Sequence, residues 1–190
     1  MQLDLRQLAF FPWYAFLIYW VISASRLKQI KTEEAQAGRL SHLAVMVLAF
    51  YLLFRTSFGI DILDRRFIPY DLRIQYLGIA LTWLGIAFAI WARYCIGANW
   101  SGRVTLKVDH QLVQSGPYAF VRHPIYTGML VANAGAALFI GKWRCLVAIL
   151  VFLAEISRKA AKEEGFMVAE FGDRYVEYRK RTGFLVPRLH

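Results

Sequence analysis

The sequence predicts an all-α integral membrane protein, a bundle of five transmembrane helices with a cap on one side made by a long loop and the C-terminal tail. Three observations carry this. The chain of 190 residues is 58% hydrophobic and 19% charged, against about 45–50% and about 25% in an ordinary soluble domain. Its mean hydropathy is +0.39, which leaves too little polar surface to cover a water-soluble globule. Its apolar residues fall into five runs bounded by charge. Together these argue against a soluble enzyme, a disordered chain and a secreted disulfide scaffold.

A spanning helix needs about 20 mostly apolar residues. The first run, Gln7 to Ser25, has 19 residues without Lys, Arg, Asp or Glu. One arginine precedes it and no small-residue cleavage pattern follows, so it is expected to be a span rather than a leader. The second, Leu40 to Phe54, has 15 such residues and could continue past Arg55 towards Ile60. The third, Ile74 to Ala92, has 19. The fourth runs from His123 to Gly141. The fifth begins near Trp143 and fades by Ser157. The short second and fifth runs suit tilted or partly protein-buried helices. Gly141 to Trp143 is a link short enough to force an antiparallel hairpin. Gly128, Ala132 and Gly135 share one face of the fourth span, where small residues let another helix approach closely.

Counting Lys and Arg on alternate sides gives 7 with the N-terminal tip and 16 with the C-terminal tail. The positive-inside rule then places the N-terminus outside and the tail in the cytoplasm, in a multi-pass protein of the cell membrane. Residues 1–92 hold three spans; residues 93–190 hold the third loop, the hairpin and the tail as one unit. The net charge of +10 reads as membrane-flanking charge that meets anionic lipid headgroups, not as a nucleic-acid surface. Cys95 and Cys145 show neither CxxC nor zinc spacing, and no metal site is expected.

The polar stretches 93–122 and 158–190 share the cytoplasmic face, so chemistry with a water-soluble ligand belongs there. Ser115-Gly116-Pro117 is turn chemistry. Pro124 sits where a helix tolerates a missing N–H, which puts Arg122 and His123 at the mouth of the fourth span between Tyr118 and Tyr126. Glu155, Lys159 and Glu163 form one stripe if the fifth helix continues outward, and an acid as close to the membrane as Glu155 is costly and usually functional. A helix break is expected at Gly172. Tyrosine faces and a carboxylate suit a sulfonium or ammonium ligand. The chain has no Ser-His-Asp order, HExxH, GxxxxGK[ST] or GxGxxG.

His110-Gln111-Leu112-Val113, Ser115-Gly116-Pro117-Tyr118, Arg122-His123-Pro124-Ile125-Tyr126-Thr127-Gly128, Glu163-Glu164, and Phe171-Gly172 with Tyr175 and Tyr178 together resemble the isoprenylcysteine carboxyl methyltransferase family, which is related to the membrane phospholipid methyltransferases. Asn99-Trp100-Ser101 adds to the likeness, which covers the chain from Gly97 onward. The resemblance implies an integral membrane enzyme using S-adenosylmethionine, with the cofactor enclosed by the third loop, the start of the fourth span and the tail. It assigns Arg103, His110, Gln111, Leu112, Val113, Tyr118, His123, Pro124, Ile125, Tyr126, Glu163 and Glu164 to the cofactor.

Where the family has a substrate-facing arginine, four residues before its glutamate, this chain has Lys159, with Arg158 beside it. Lysine lacks the fork that matches a carboxylate. Arg122 and Lys159 are expected to hold an anionic acceptor, and Glu155 to serve as a base if the acceptor is an amine. The acceptor is a lipophilic small molecule or lipidated substrate: a prenylated thiol acid, a lipid amine or a small hydrophobic acid. An NADPH-dependent reductase of the sterol type resembles the Arg-His-Pro region, but Ile125 and Met129 stand where such reductases carry Asn and an acid. A non-enzymatic membrane scaffold is disfavoured by the Glu163-Glu164 and Phe171-Gly172 pairing.

Overall fold

The computed structural model describes residues 4–24, 30–33, 36–100, 105–107 and 111–188. Five long helices dominate them: α1 (Leu5–Ala24), α2 (Gln36–Phe54), α4 (Leu72–Ile96), α5 (Pro124–Ile140) and α6 (Trp143–Phe171). A single-turn α3 (Asp61–Asp64), a short α7 (Asp173–Arg181) and two 3-10 turns, Gly97–Asn99 and Gly116–Ala119, complete the helices among the described residues. Each long helix falls on one of the five apolar runs. Two of them, over Leu5–Ser23 and Leu72–Asn99, are long and apolar enough to cross a membrane, with mean hydropathies of 1.3 and 1.6. The second run does not continue past Arg55; α2 extends towards its N-terminus instead.

One element departs from an all-helical reading. β1 (Ile30–Glu33) pairs antiparallel with β2 (Thr105–Lys107). These strands come from the first and third loops, so both loops lie at one end of the bundle. At the other end a bridge joins Arg66 of the second loop to Lys142 of the hairpin.

The tightest helix packing is between α4 and α5. A Cβ on Gly128 would stand 2.6 Å from the Gly85 carbonyl oxygen, and one on Gly135 would stand 2.5 Å from that of Gly78. The small face read on the fourth span therefore meets a matching small face on α4, and the two backbones touch. Gly85→Ala must push against the Ala132 and Gly128 backbone and should cost about 1–3 kcal/mol as overpacking. Gly165→Ala in α6 meets nothing within 4 Å and should gain roughly 0.5–1 kcal/mol. Thermal unfolding in detergent should move in opposite directions for the two variants.

Polar side chains tie the remaining helices. Pro12 inside α1 has no N–H to give the Leu8 carbonyl; the Trp83 indole N–H of α4 donates to that oxygen at 2.9 Å. Buried Arg93 donates to Ser23 O at 2.9 Å and Gly97 O at 2.8 Å, with its guanidinium 4.5 Å from the Trp100 ring centre. Buried Arg144 donates to Leu52 O and Leu53 O at 2.8 and 2.7 Å. Arg93 and Arg144 thus satisfy carbonyls in the last turns of α1 and α2 and oppose the negative ends of their dipoles.

Gly141, in the left-handed region at φ 71°, closes α5 and turns the chain into α6. α6 has 29 residues, about 43 Å at 1.5 Å per residue. That length brings Glu163 and Glu164 level with the start of α5, where they meet Tyr126, His123 and Arg122. The expected break falls at Gly172, where φ is 53°.

Candidate functional site

At the α6 C-terminal end lies a cavity of about 770 Å³, within the size range of small-molecule sites. Its walls are of two kinds. One end is polar and aromatic: Gln111, Tyr118, His123, Tyr126, Lys159, Glu163, Tyr175 and Tyr178. The other is apolar: Phe16 and Trp20 of α1, Met46 and Phe50 of α2, and Phe152 and Ile156 of α6.

The polar end is built on α5 and α6. Pro124 starts α5, which projects Tyr126 towards α6. The Tyr126 hydroxyl donates to Glu163 Oε1 at 3.0 Å. Lys159 Nζ lies 3.9 Å from the same oxygen and 5.8 Å from the Tyr126 ring centre. The His123 ring stacks on Tyr126, its centroid 5.8 Å away and the planes 17° apart. It stands between two carboxylates, with Nδ1 3.6 Å from Glu163 Oε2 and Nε2 3.3 Å from Glu164 Oε1.

Behind this wall the C-terminal tail is clipped onto the start of α5. Arg122 N donates to Gly183 O at 2.9 Å, and Gly183 N to Phe120 O at 3.0 Å. The Thr127 hydroxyl donates to Leu185 O at 2.7 Å. The Arg122 guanidinium is the hub: Nε donates to Glu164 Oε1 at 2.6 Å, and Nη1 to the carbonyls of Thr182 and Arg179. Arg179 Nε approaches the other Glu164 oxygen at 3.3 Å. Burial alone would raise the Glu164 carboxyl; the hydrogen bonds from His123 and Arg122 outweigh it and hold the group below its ordinary value. The Tyr178 hydroxyl donates to Tyr118 O at 2.7 Å, and burial pushes that phenol up to about 12. Burial likewise raises Tyr118, so both hydroxyls stay protonated at neutral pH.

Of the residues singled out in the sequence, Gln111, Leu112, Val113, Tyr118, Arg122, His123, Ile125, Tyr126, Lys159 and Glu163 line the cavity. Arg103 and His110 lie outside the described residues. Pro124, Glu164 and Glu155 are not on the wall. Pro124 is the first residue of α5. Glu164 faces Arg122, His123 and Arg179, because neighbours on a helix point about 100° apart. Glu155 is paired with Arg158 and with His42 of α2. Arg122 touches the cavity, but its Nε is spent on Glu164 of α6 and its Nη1 on the carbonyls of the tail.

Sequence reasoning missed the α1 and α2 contributions. Phe16, Met46 and Phe50 read as ordinary span residues. His42 carried a usable signal, an ionisable group inside an apolar run.

A long-helix bundle whose small faces lock two helices, and whose end holds a cavity with one carboxylate-tyrosine end and one apolar end, defines a membrane-type fold with a two-natured cavity. The chain belongs to the phospholipid methyltransferase family, whose model matches residues 74–174. It is 38% identical over 82 residues to a protein-S-isoprenylcysteine O-methyltransferase of Schizosaccharomyces pombe, covering 43% of this chain and 35% of that protein. The Homo sapiens protein of the same name is 30% identical over 112 residues, covering 57% and 39%. The chain thus spans less than half the length of these curated relatives. A solved eukaryotic intramembrane Ras methyltransferase shares the fold with a TM-score of 0.58 and 21% identity, over 77% of this chain and 52% of that one.

Proposed function

We propose that the protein transfers the methyl group of S-adenosylmethionine to the carboxylate of a lipophilic acceptor of the isoprenylcysteine type. The observation that carries this is the two-natured cavity. Its polar end sets one partly buried carboxylate, Glu163, among tyrosines, a donor set that suits a cation. Glu163, Tyr126, Tyr118 and the Gln111–Val113 rim would hold S-adenosylmethionine, which supplies a methyl group on a sulfonium sulfur.

The apolar end suits a prenyl chain. Its rim residues Leu17, Leu43 and Val47 line the cavity yet are 58%, 57% and 59% exposed. That opens the cavity sideways between α1 and α2, where a bilayer would lie. We read α1, α2, α4, α5 and most of α6 as the five membrane crossings, with the N-terminus outside and the tail cytoplasmic. The pairing of loops one and three at one end, and of loop two with the hairpin at the other, supports that alternation.

A carboxylate acceptor is already anionic at neutral pH and needs no base. Lys159 would attract it towards the Glu163 end, and the apolar walls would strip its water and fix its line of approach. Arg122, with Glu164, acts instead by docking the tail that closes the site.

Calorimetry on the purified protein in detergent tests the donor. S-adenosylhomocysteine should bind in the micromolar range while NADPH does not. NADPH binding alone would favour a reductase, and binding of neither would leave a non-enzymatic protein.

A further inference from the structure

His42 lies outside the segment matched by the family model, 74–174, yet its side chain lines the cavity from α2. Its Nδ1 is 2.7 Å from Glu155 Oε1. Glu155, 5% exposed against 20% for His42, is fixed in turn by Arg158 through Nε at 3.0 Å and Nη2 at 2.5 Å. An ionised carboxylate only accepts, so the imidazole must place its proton on Nδ1. Nε2 then makes no hydrogen bond among the described residues. A carboxylate behind an imidazole fixes its tautomer and orientation.

We propose that His42 is an acceptor-binding residue: oriented by Glu155, its protonated imidazole donates from Nε2 to the acceptor's carboxylate beside Lys159. This rests on the reading of the acceptor as a carboxylic acid. A carboxylate presents two oxygens, and Lys159 answers with a single point charge rather than a fork; His42 supplies the second donor. The charged groups that act on His42 are Glu155, Lys159 and Glu163, all on α6. Lys159 opposes a second cation in the cavity, whereas an anionic acceptor between the two relieves that repulsion. Acceptor binding therefore takes up a proton from solvent onto Nε2, and affinity falls as pH rises through the range where imidazole deprotonates.

The test is read by binding, so that it stands apart from turnover. Protein saturated with S-adenosylhomocysteine is titrated with an N-acylated S-farnesylcysteine, and with its C-terminal amide, from pH 5.5 to 8.5. The acid should bind more weakly as pH rises, and the amide should show no pH trend. His42→Gln should weaken the acid by on the order of tenfold at the low-pH end, as expected for a lost charge-assisted hydrogen bond, and flatten its profile. Glu155→Gln, which keeps a side-chain acceptor but removes the charge, should move the midpoint to lower pH. S-adenosylhomocysteine affinity should be unchanged in both variants. A wild-type profile that is flat, or that His42→Gln leaves intact, overturns the assignment. Equal loss of affinity for acid, amide and S-adenosylhomocysteine also overturns it and makes His42 structural. Wild-type protein that binds the acid with this pH trend but methylates nothing would defeat the proposed function and leave the role of His42 standing.

Discussion

Glu163→Gln is expected to weaken binding of S-adenosylmethionine strongly, and of its uncharged-sulfur product S-adenosylhomocysteine less. Glu163 faces the cavity with Tyr126 donating to one oxygen at 3.0 Å and Lys159 3.9 Å away. It is the carboxylate on the cavity wall, its side chain 24% exposed; Glu164, one residue on, is consumed by Arg122, His123 and Arg179. A hydrogen bond to a charged group is worth about 1.5–3 kcal/mol, so the variant should bind S-adenosylmethionine roughly ten- to hundredfold more weakly. The loss for S-adenosylhomocysteine, which lacks the sulfonium charge, should be smaller. Calorimetry with both ligands separates the two terms. An unchanged affinity for S-adenosylmethionine would remove Glu163 from the donor site.

Arg122→Ala is expected to have the largest effect on stability. It strips Glu164 of the nearest of its three partners inside a nearly buried cluster, and it frees the carbonyls of Thr182 and Arg179 that hold the tail. Breaking such a pair from one side costs about 3–5 kcal/mol. Arg122→Lys cannot reproduce three donors in one plane and should recover little of it. Undocked, the tail no longer supplies Tyr175 and Tyr178 to the cavity wall, so ligand affinity and thermal stability should fall together.

The same carboxylate sets an acid limit. Its folded value lies below its unfolded one, so its contribution is fully present above the ordinary glutamate range, about 4.3. It is lost as pH falls through the depressed folded value. Limited proteolysis of the tail should therefore stay slow from pH 7 to 5 and accelerate below about pH 4.

Much of this was legible in the sequence, and what was not has physical causes. The five runs became five long helices because backbone groups in apolar surroundings must be satisfied internally. The hairpin at Gly141, the start at Pro124 and the break at Gly172 follow from what glycine and proline do to φ. The close approach of α4 and α5 was readable on α5, where the small residues recur at helical spacing; its partner glycines on α4, Gly78 and Gly85, are seven apart, a spacing easily passed over. The β1–β2 ribbon was invisible, since strands of four and three residues carry no periodicity.

Within the site, the turn-rich residues around Arg122 and the glutamate pair stood out; the resemblance put both glutamates on the cofactor, with Glu163 the one four residues after Lys159, and only Glu163 lines the cavity. Which of two neighbours faces the cavity depends on the rotation of α6 about its axis. Packing of α6 on α2 fixes that rotation, and local pattern does not. The α1 and α2 walls were missed because an apolar side chain facing a prenyl-sized cavity reads the same as one facing lipid. His42 was missed because its partner Glu155 is 113 residues away.

The central claim is that this cavity joins a water-soluble methyl donor to an acid arriving from the bilayer. The direct measurement is label transfer in proteoliposomes, with S-adenosylmethionine labelled on its methyl group and an N-acylated S-farnesylcysteine in the membrane. Label should appear in a base-labile methyl ester of the acid, with none on its amide and far less with the Glu163→Gln protein at donor concentrations below saturation. Label on a lipid amine, or no transfer from protein that binds S-adenosylhomocysteine, would contradict it.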